Sequence, residues 1–281
     1  MKLKELKDIF NSELGNIYST EELQTILTYI LVDALGIPKV VILAQPQYEL
    51  SKAQEEQVLS FLKDLKKGIP VQHILGVAHF YGMMLQVCPD VLIPRQETEE
   101  LVDWVIKDNK GKQLKILDVC TGSGCIALAL KMHLPGSAVT AIDVSDKALC
   151  MAKKNAENLA LEIDFKKADA LHMEQDMNNE QYDIIISNPP YIPCSGKDYV
   201  QKSVFMYEPH LALFVPDETP LLFYKSIARY AKKTKSKFLY FEIYEELGDE
   251  ISEFMREEGF SDVIVKKDLN GKNRILRCHY F

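Results

Sequence analysis

Hydrophobic positions follow two rhythms along this chain. Up to about residue 73 they recur every three or four residues: Leu3, Leu6, Ile9 and Phe10, then Leu23, Ile26, Leu27, Ile30 and Leu31, then Val58, Phe61, Leu62 and Leu65. That spacing gathers apolar side chains on one face of a helix. Ser19-Thr20-Glu21-Glu22 reads as a capping box and Ser51 as a further cap, with Gly36-Ile37-Pro38 and Gly68 to Pro70 as stops. The pattern predicts a small helical bundle over residues 1–73.

From residue 74 the rhythm shortens. Val77 to Gly82 and Met84 to Val87 are strand-like runs around a glycine, predicting a β-hairpin linker over 74–93. Leu92-Ile93-Pro94-Arg95 then leads into a helix whose first turn carries Glu97, Glu99 and Glu100, acids well placed at that end. From residue 114 strands and helices alternate, the mark of a parallel sheet. Strands are expected at 114–119, 138–142, 163–167, 182–187 and 238–243, and helices at 124–134, 145–160, 221–231 and 247–258. A polar, proline-bearing insertion fills 192–219. Val263 to Val265 and Ile275 to Arg277 close the chain as a pair joined through Asn270-Gly271, a strong hairpin turn. The expected architecture is α/β over 94–281, with seven strands.

Asp183-Ile184-Ile185-Ile186-Ser187 is an apolar run fit for a strand buried on both faces, and it stops in Asn188-Pro189-Pro190-Tyr191. Proline cannot donate to a sheet ladder, so the strand ends there in a rigid corner. Ligands of open α/β sheets bind at that edge. The corner offers the Asn188 side-chain oxygen, the Pro189 carbonyl and the Tyr191 ring, which suit a planar group carrying an NH2. Two acceptors can aim such a nitrogen's lone pair at a methyl donor, and their hydrogen bonds strengthen as the nitrogen becomes positive.

Asp118-Val119-Cys120-Thr121-Gly122-Ser123-Gly124 lies between the first sheet strand and its helix. Glycines let a ligand approach the backbone, and the helix start has free N–H groups. Gly122-x-Gly124-x-x-Ala127 also meets the loose dinucleotide fingerprint, which alone decides little. Asp118 would repel a diphosphate but suits an ammonium-bearing ligand. Asp143 ends the second strand, 19 residues beyond Gly124, where an acid can accept ribose hydroxyls. Asp169 is placed to accept from an adenine amino group, or is an ordinary loop acid. Taken together, the three acids describe S-adenosylmethionine better than a dinucleotide.

Composition narrows the class. The 281 residues carry a formal net charge of −8, and neither side of residue 90 is basic, which counts against stable nucleic-acid binding. The six cysteines form no Cys-x-x-Cys pair and the six histidines no metal-ligand cluster, so no metal is expected. Cys120 and Cys125 read as packing residues. No run approaches membrane-spanning length, and Met1 to Asp8 alternates charge without a signal-type apolar core. The expectation is a reduced, cytoplasmic protein.

The glycine loop, Asp143 and Asn188-Pro189-Pro190-Tyr191 together resemble the Asn/Asp-Pro-Pro-aromatic class of S-adenosylmethionine-dependent amino-methyltransferases. Pro70 to Gly76, Phe80-Tyr81-Gly82, Val91 to Arg95, Glu97-Thr98-Glu99, Tyr207-Glu208-Pro209 and Lys267 to Gly271 narrow the resemblance to the HemK/PrmC family, the release factor glutamine-N5 methyltransferases. The match runs from about residue 70 onward; earlier residues match only in helical character and length.

The resemblance implies a Rossmann-like methyltransferase domain that uses S-adenosyl-L-methionine and releases S-adenosyl-L-homocysteine. It also implies methylation of the glutamine in the Gly-Gly-Gln motif of bacterial class 1 peptide chain release factors, with the helical domain helping to hold the factor. Carried over, Asn188 and Pro189 bind the amide and Tyr191 packs on it, with Pro190 completing the substrate set. Asp118, Thr121, Gly122, Ser123, Gly124, Asp143, Asp169 and Asn188 form the cofactor set.

Three positions depart from the family. Glycine is usual where this chain has Cys120, so a glycine-only conformation is not expected there. Lys232 to Lys237 lacks the usual glycine turn. Glu242-Ile243-Tyr244 replaces Glu-Ile-Gly, so no role is carried to that turn. The rival readings are a glutamine methyltransferase acting on a ribosomal protein, an adenine-N6 nucleic-acid methyltransferase, a binding protein without turnover, and an NAD-dependent oxidoreductase.

Overall fold

The structure, a computed structural model, describes residues 1–280, which divide into two compact units. Met1–Val77 with Gln201–Tyr207 form one, and Ala78–Val200 with Glu208 onward form the other.

The first unit is helical. Helices α1 (Leu3–Leu14), α2 (Thr20–Tyr29) and α4 (Lys52–Leu65) are those the periodicity predicts, and the Ser19 and Ser51 hydroxyls cap α2 and α4 through reciprocal capping boxes. Leu3, Leu6, Phe10, Ile30, Val58 and Leu65 are fully buried in its core. Two short helices lie beyond the predicted set: α3 (Lys39–Ala44) and α5 (Val71–Leu75). Each follows a proline, Pro38 or Pro70, which stands at the N-cap with extended backbone. Neither is long enough to show a helical period. From the 192–219 insertion, Lys202–Tyr207 also forms a helical turn, and the Tyr207 hydroxyl donates to the Lys67 carbonyl at 3.0 Å.

The second unit opens with the expected hairpin, β1 (Val77–Phe80) and β2 (Met83–Gln86). Tyr81 and Gly82 both take positive φ, +46° and +77°, as a two-residue type I′ turn requires. Asn155 fastens β2 in place: its side-chain oxygen accepts from the Gln86 N–H, and its amide donates to the Gln86 and Ser123 carbonyls.

A seven-stranded sheet follows, as the alternation predicts. Its central strand, β3 (Lys115–Val119), pairs in parallel with β4 (Ala138–Asp143) on one side and β6 (Ile184–Ser187) on the other. Beyond β4 lies β5 (Asp164–Lys167); beyond β6 lie Phe238–Glu242, then the antiparallel closing hairpin Ser261–Lys267 and Asn273–His279. The strand order reverses beside β3, which opens a crevice at the carboxyl edge between β3 and β6.

Helices cover both faces, including Gln96–Asn109, Cys125–His133, Asp146–Asn158, Leu222–Thr234 and Gly248–Glu257. The apolar run of β6 alternates between two cores. Ile185 packs with Leu117 and Leu239 on one face, while Ile184 and Ile186 pack with Ile116 and Tyr240 on the other. At its end Ser187 pairs with Val119 and donates its hydroxyl to the Val119 carbonyl at 2.6 Å. That register brings the two following residues, Cys120 and Asn188, out side by side. In the turn before Phe238, which lacks the family's usual glycine, Lys235 takes a left-handed conformation, φ +56°.

Candidate active site

A cavity of about 310 Å3 opens at the crevice, a size typical of small-molecule sites. Cys120, Gly122, Asp143, Asp169, Asn188 and Pro190 share its wall, with residues 90–92 and the 209–212 stretch completing it. Asp118, Thr121, Ser123, Gly124, Pro189 and Tyr191 do not line it.

The glycine loop is built on Asp118. Its side chain is fully buried, and one oxygen accepts from the Thr121 hydroxyl at 2.6 Å and from the Ala127 N–H at 3.2 Å. The other oxygen has no hydrogen-bond partner among the described residues. Desolvation pushes this carboxyl up to about 7, against the lowering effect of its two donors. Gly122, at φ +56°, turns its N–H to Asp143, which accepts it at 2.9 Å while its second oxygen accepts from the Ser145 N–H at 2.9 Å. Burial raises the Asp143 pKa, opposed by those N–H groups. Gly124 serves packing: at φ +84°, a Cβ there would lie 3.1 Å from that of Ala152. Ser123 is buried, and its carbonyl takes the Asn155 amide.

Cys120 takes a backbone conformation that favours glycine without being closed to other residues. It lies in the left-handed region at φ +62°, where glycine is favoured, so the loop keeps its shape at a cost of about 1–2 kcal/mol. Left-handed backbone is costly for a side chain with a Cβ but is not closed to it. Burial pushes the Cys125 thiol up to about 12, which leaves no thiolate for nucleophilic work.

Asp169 lines the cavity as well. It accepts from the Leu171 N–H at 2.8 Å and meets His172 Nδ1 at 2.9 Å.

On the other side, the Asn188 amide donates to Thr98 Oγ1 at 3.1 Å, and Thr98 donates to Glu242 at 2.6 Å. Tyr191 donates to the second Glu242 oxygen at 3.1 Å, and its ring stacks on Tyr244 with centroids 6.1 Å apart. Glu242 is fully buried; desolvation raises its pKa, while the Thr98 and Tyr191 hydroxyls lower it.

The model of the "PrmC N-terminal domain" matches residues 10–76, and that of the "Methyltransferase small domain" matches residues 98–206. A release factor glutamine methyltransferase of Flavobacterium psychrophilum is 42% identical over 100% of both chains. The chain belongs to the release factor glutamine methyltransferase family.

The same family name is borne by a relative from Bacteroides thetaiotaomicron, 39% identical over 95% of this chain and 96% of that protein. As a member, the chain is an S-adenosylmethionine-dependent protein glutamine methyltransferase. The hMettl16 catalytic domain, 17% identical with a TM-score of 0.56 over 82% of this chain and 83% of its own, shares the fold.

Among the described residues no His, Cys, Asp and Glu side chains gather into a metal-binding group, and no helix is long and apolar enough to cross a membrane. Thr98 and Glu242 are the site residues that reading from sequence missed. Thr98 lies in the Glu97-Thr98-Glu99 stretch and Glu242 opens the Glu242-Ile243-Tyr244 stretch that departs from the family, and no spacing joins positions so far apart. Their meeting depends on the strand Phe238–Glu242 pairing with β6.

Proposed function

We propose that this enzyme methylates the side-chain amide nitrogen, N5, of the glutamine in the Gly-Gly-Gln motif of class 1 release factors by direct in-line transfer. The observation that carries this is the shared wall of one cavity, which brings Asn188 of the Asn-Pro-Pro-Tyr corner beside Gly122 and Asp143.

The chain's donors and acceptors fit S-adenosylmethionine. The unpartnered, desolvated Asp118 oxygen suits an ammonium near the Gly122 turn, and Asp143, fixed by two N–H groups, keeps lone pairs for two ribose hydroxyls. Asp169 takes the adenine end, with Thr121 holding Asp118, and Ser123 and Gly124 shaping the loop. Bound S-adenosylmethionine supplies an electrophilic methyl group and leaves as S-adenosyl-L-homocysteine.

Asn188 and the Pro189 carbonyl accept the two N–H groups of the glutamine amide, turning its lone pair toward the methyl. Tyr191, restrained by Glu242 and Tyr244, and Pro190 border the flat amide. Those hydrogen bonds strengthen as positive charge grows on nitrogen, so they favour the transition state over the ground state. The methylated nitrogen then loses its proton to water. No side chain is needed as a base.

The helical unit, matched to the PrmC N-terminal domain, is assigned to holding the release factor in the cytoplasm. The net charge of −8 supports a protein substrate over duplex nucleic acid.

Methyl transfer from labelled S-adenosylmethionine tests this, with purified release factor and duplex DNA in parallel. Label located by mass spectrometry on the Gly-Gly-Gln glutamine, and lost in Asn188→Ala, is the expected result. Label on DNA alone overturns the substrate, and transfer to a ribosomal protein glutamine instead would redirect it.

A further inference from the structure

Glu242 is a buried titratable group that reaches the Asn188-Pro189-Pro190-Tyr191 corner through two hydroxyls. It sits at the end of the strand Phe238–Glu242, fully buried, and both of its oxygens accept from hydroxyls, those of Thr98 and Tyr191.

A carboxylate only accepts, and a threonine hydroxyl has one proton. Thr98 spends that proton on Glu242 at 2.6 Å, so what it offers Asn188 is a lone pair. Asn188 must answer with a donor, and its Nδ2 does so at 3.1 Å. Because an amide carries its nitrogen and oxygen on opposite edges, Oδ1 is thereby set away from Thr98. Were the amide reversed, an oxygen would face an oxygen with no proton between them. A reversed amide would also offer the substrate NH2 a donor where it needs an acceptor.

We propose that Thr98 and Glu242 are positioning residues that fix the Asn188 amide in its acceptor-forward orientation before the glutamine arrives. Tyr191 closes the same chain from the other side, so one buried carboxylate aligns both the acceptor and the aromatic ring of the corner. The inference rests on the proposed amide methylation for its catalytic meaning, but the orientation itself belongs to the free enzyme.

Thr98→Val keeps the shape and removes the hydroxyl; Thr98→Ser keeps the hydroxyl. With release factor as substrate, Thr98→Val is expected to lower kcat about tenfold or more, with the S-adenosylmethionine Kd unchanged, and Thr98→Ser to restore turnover to within about threefold of wild type. Wild-type kcat in Thr98→Val, or equal losses in both variants, overturns the proposal. An independent readout needs no substrate. In protein labelled with 15N-asparagine and methyl-labelled threonine, nuclear Overhauser contacts are expected between the Asn188 Nδ2 protons and the Thr98 methyl. If wild type fails to methylate release factor while those contacts are present, the substrate reading falls and the orientation stands. Absence of the contacts in wild type overturns the orientation whatever the activity.

Discussion

The Gly122 N–H donates to Asp143 at 2.9 Å, so the turn that follows β3 and the acid that ends β4 are locked together before any ligand binds. The Ser145 N–H holds the other oxygen. A carboxylate fixed this way meets ribose hydroxyls without losing side-chain freedom on binding, which lowers the entropic cost of association. Asp143→Ala should weaken S-adenosylmethionine binding by about 10- to 100-fold, the loss of charged hydrogen bonds. At saturating cofactor, kcat should stay within a few-fold of wild type. Titration calorimetry and saturation kinetics check the two halves; an unchanged Kd would remove Asp143 from the cofactor site.

Asn188→Ala should do the reverse. It leaves the cofactor acids untouched and removes one preorganised acceptor, so turnover should fall by roughly 10²-fold or more with near-normal cofactor affinity. A large rise in cofactor Kd with normal saturated turnover would mean that Asn188 chiefly binds cofactor.

Gly124→Ala is a stability prediction. The site has φ +84°, and the new Cβ would lie 3.1 Å from the Ala152 Cβ and 3.2 Å from a Leu128 methyl. Strained backbone and overpacking together should cost about 2–4 kcal/mol, read as a lower urea midpoint at constant m-value. Gly122→Ala meets no atom within 4 Å and carries only the backbone penalty at φ +56°, so it should cost less stability than Gly124→Ala.

Much of this was legible in the chain because local signals coincided with long-range ones. The Ile184 to Ile186 run ending in Pro189-Pro190 marks a buried strand and its functional end at once. Ser19 and Ser51 announce helices by capping chemistry that does not depend on the rest of the fold. Illegible were relationships that only pairing creates. Thr98 and Glu242 are 144 positions apart, and each alone looks like an ordinary polar residue at an element end. Asn155 is similar: a polar residue on a helix, it pairs as a strand partner with Gln86 because the hairpin folds against it. The short helix Lys39–Ala44 failed for a different reason, since six residues cannot display a period. At Cys120 the residue type alone does not announce the left-handed backbone, φ +62°, that follows the pairing of Val119 with Ser187.

The titration of Asp118 gives a pH-dependent prediction whose sign is fixed. Its carboxyl rises from an ordinary 3.8 to about 7 in the folded protein, chiefly through desolvation. The native state therefore holds this proton more tightly than the unfolded chain does. The stabilisation from the protonated group is complete below about pH 4 and is lost as pH rises through about 7, at roughly 1.4 kcal/mol per unit within that window. Asp143, also raised, acts in the same direction, so the informative quantity is the difference between wild type and Asp118→Asn. An asparagine can still accept from Thr121 and Ala127 but cannot ionise. Between pH 5 and 7 the Tm of the free wild-type enzyme should fall more steeply than that of Asp118→Asn. An ammonium beside the carboxylate lowers its pKa, so saturating S-adenosyl-L-homocysteine should flatten the wild-type slope, and wild-type affinity for it should rise with pH over the same range. Parallel Tm profiles for the two proteins would show that Asp118 carries no unbalanced charge, and a ligand affinity indifferent to pH would place the ammonium elsewhere.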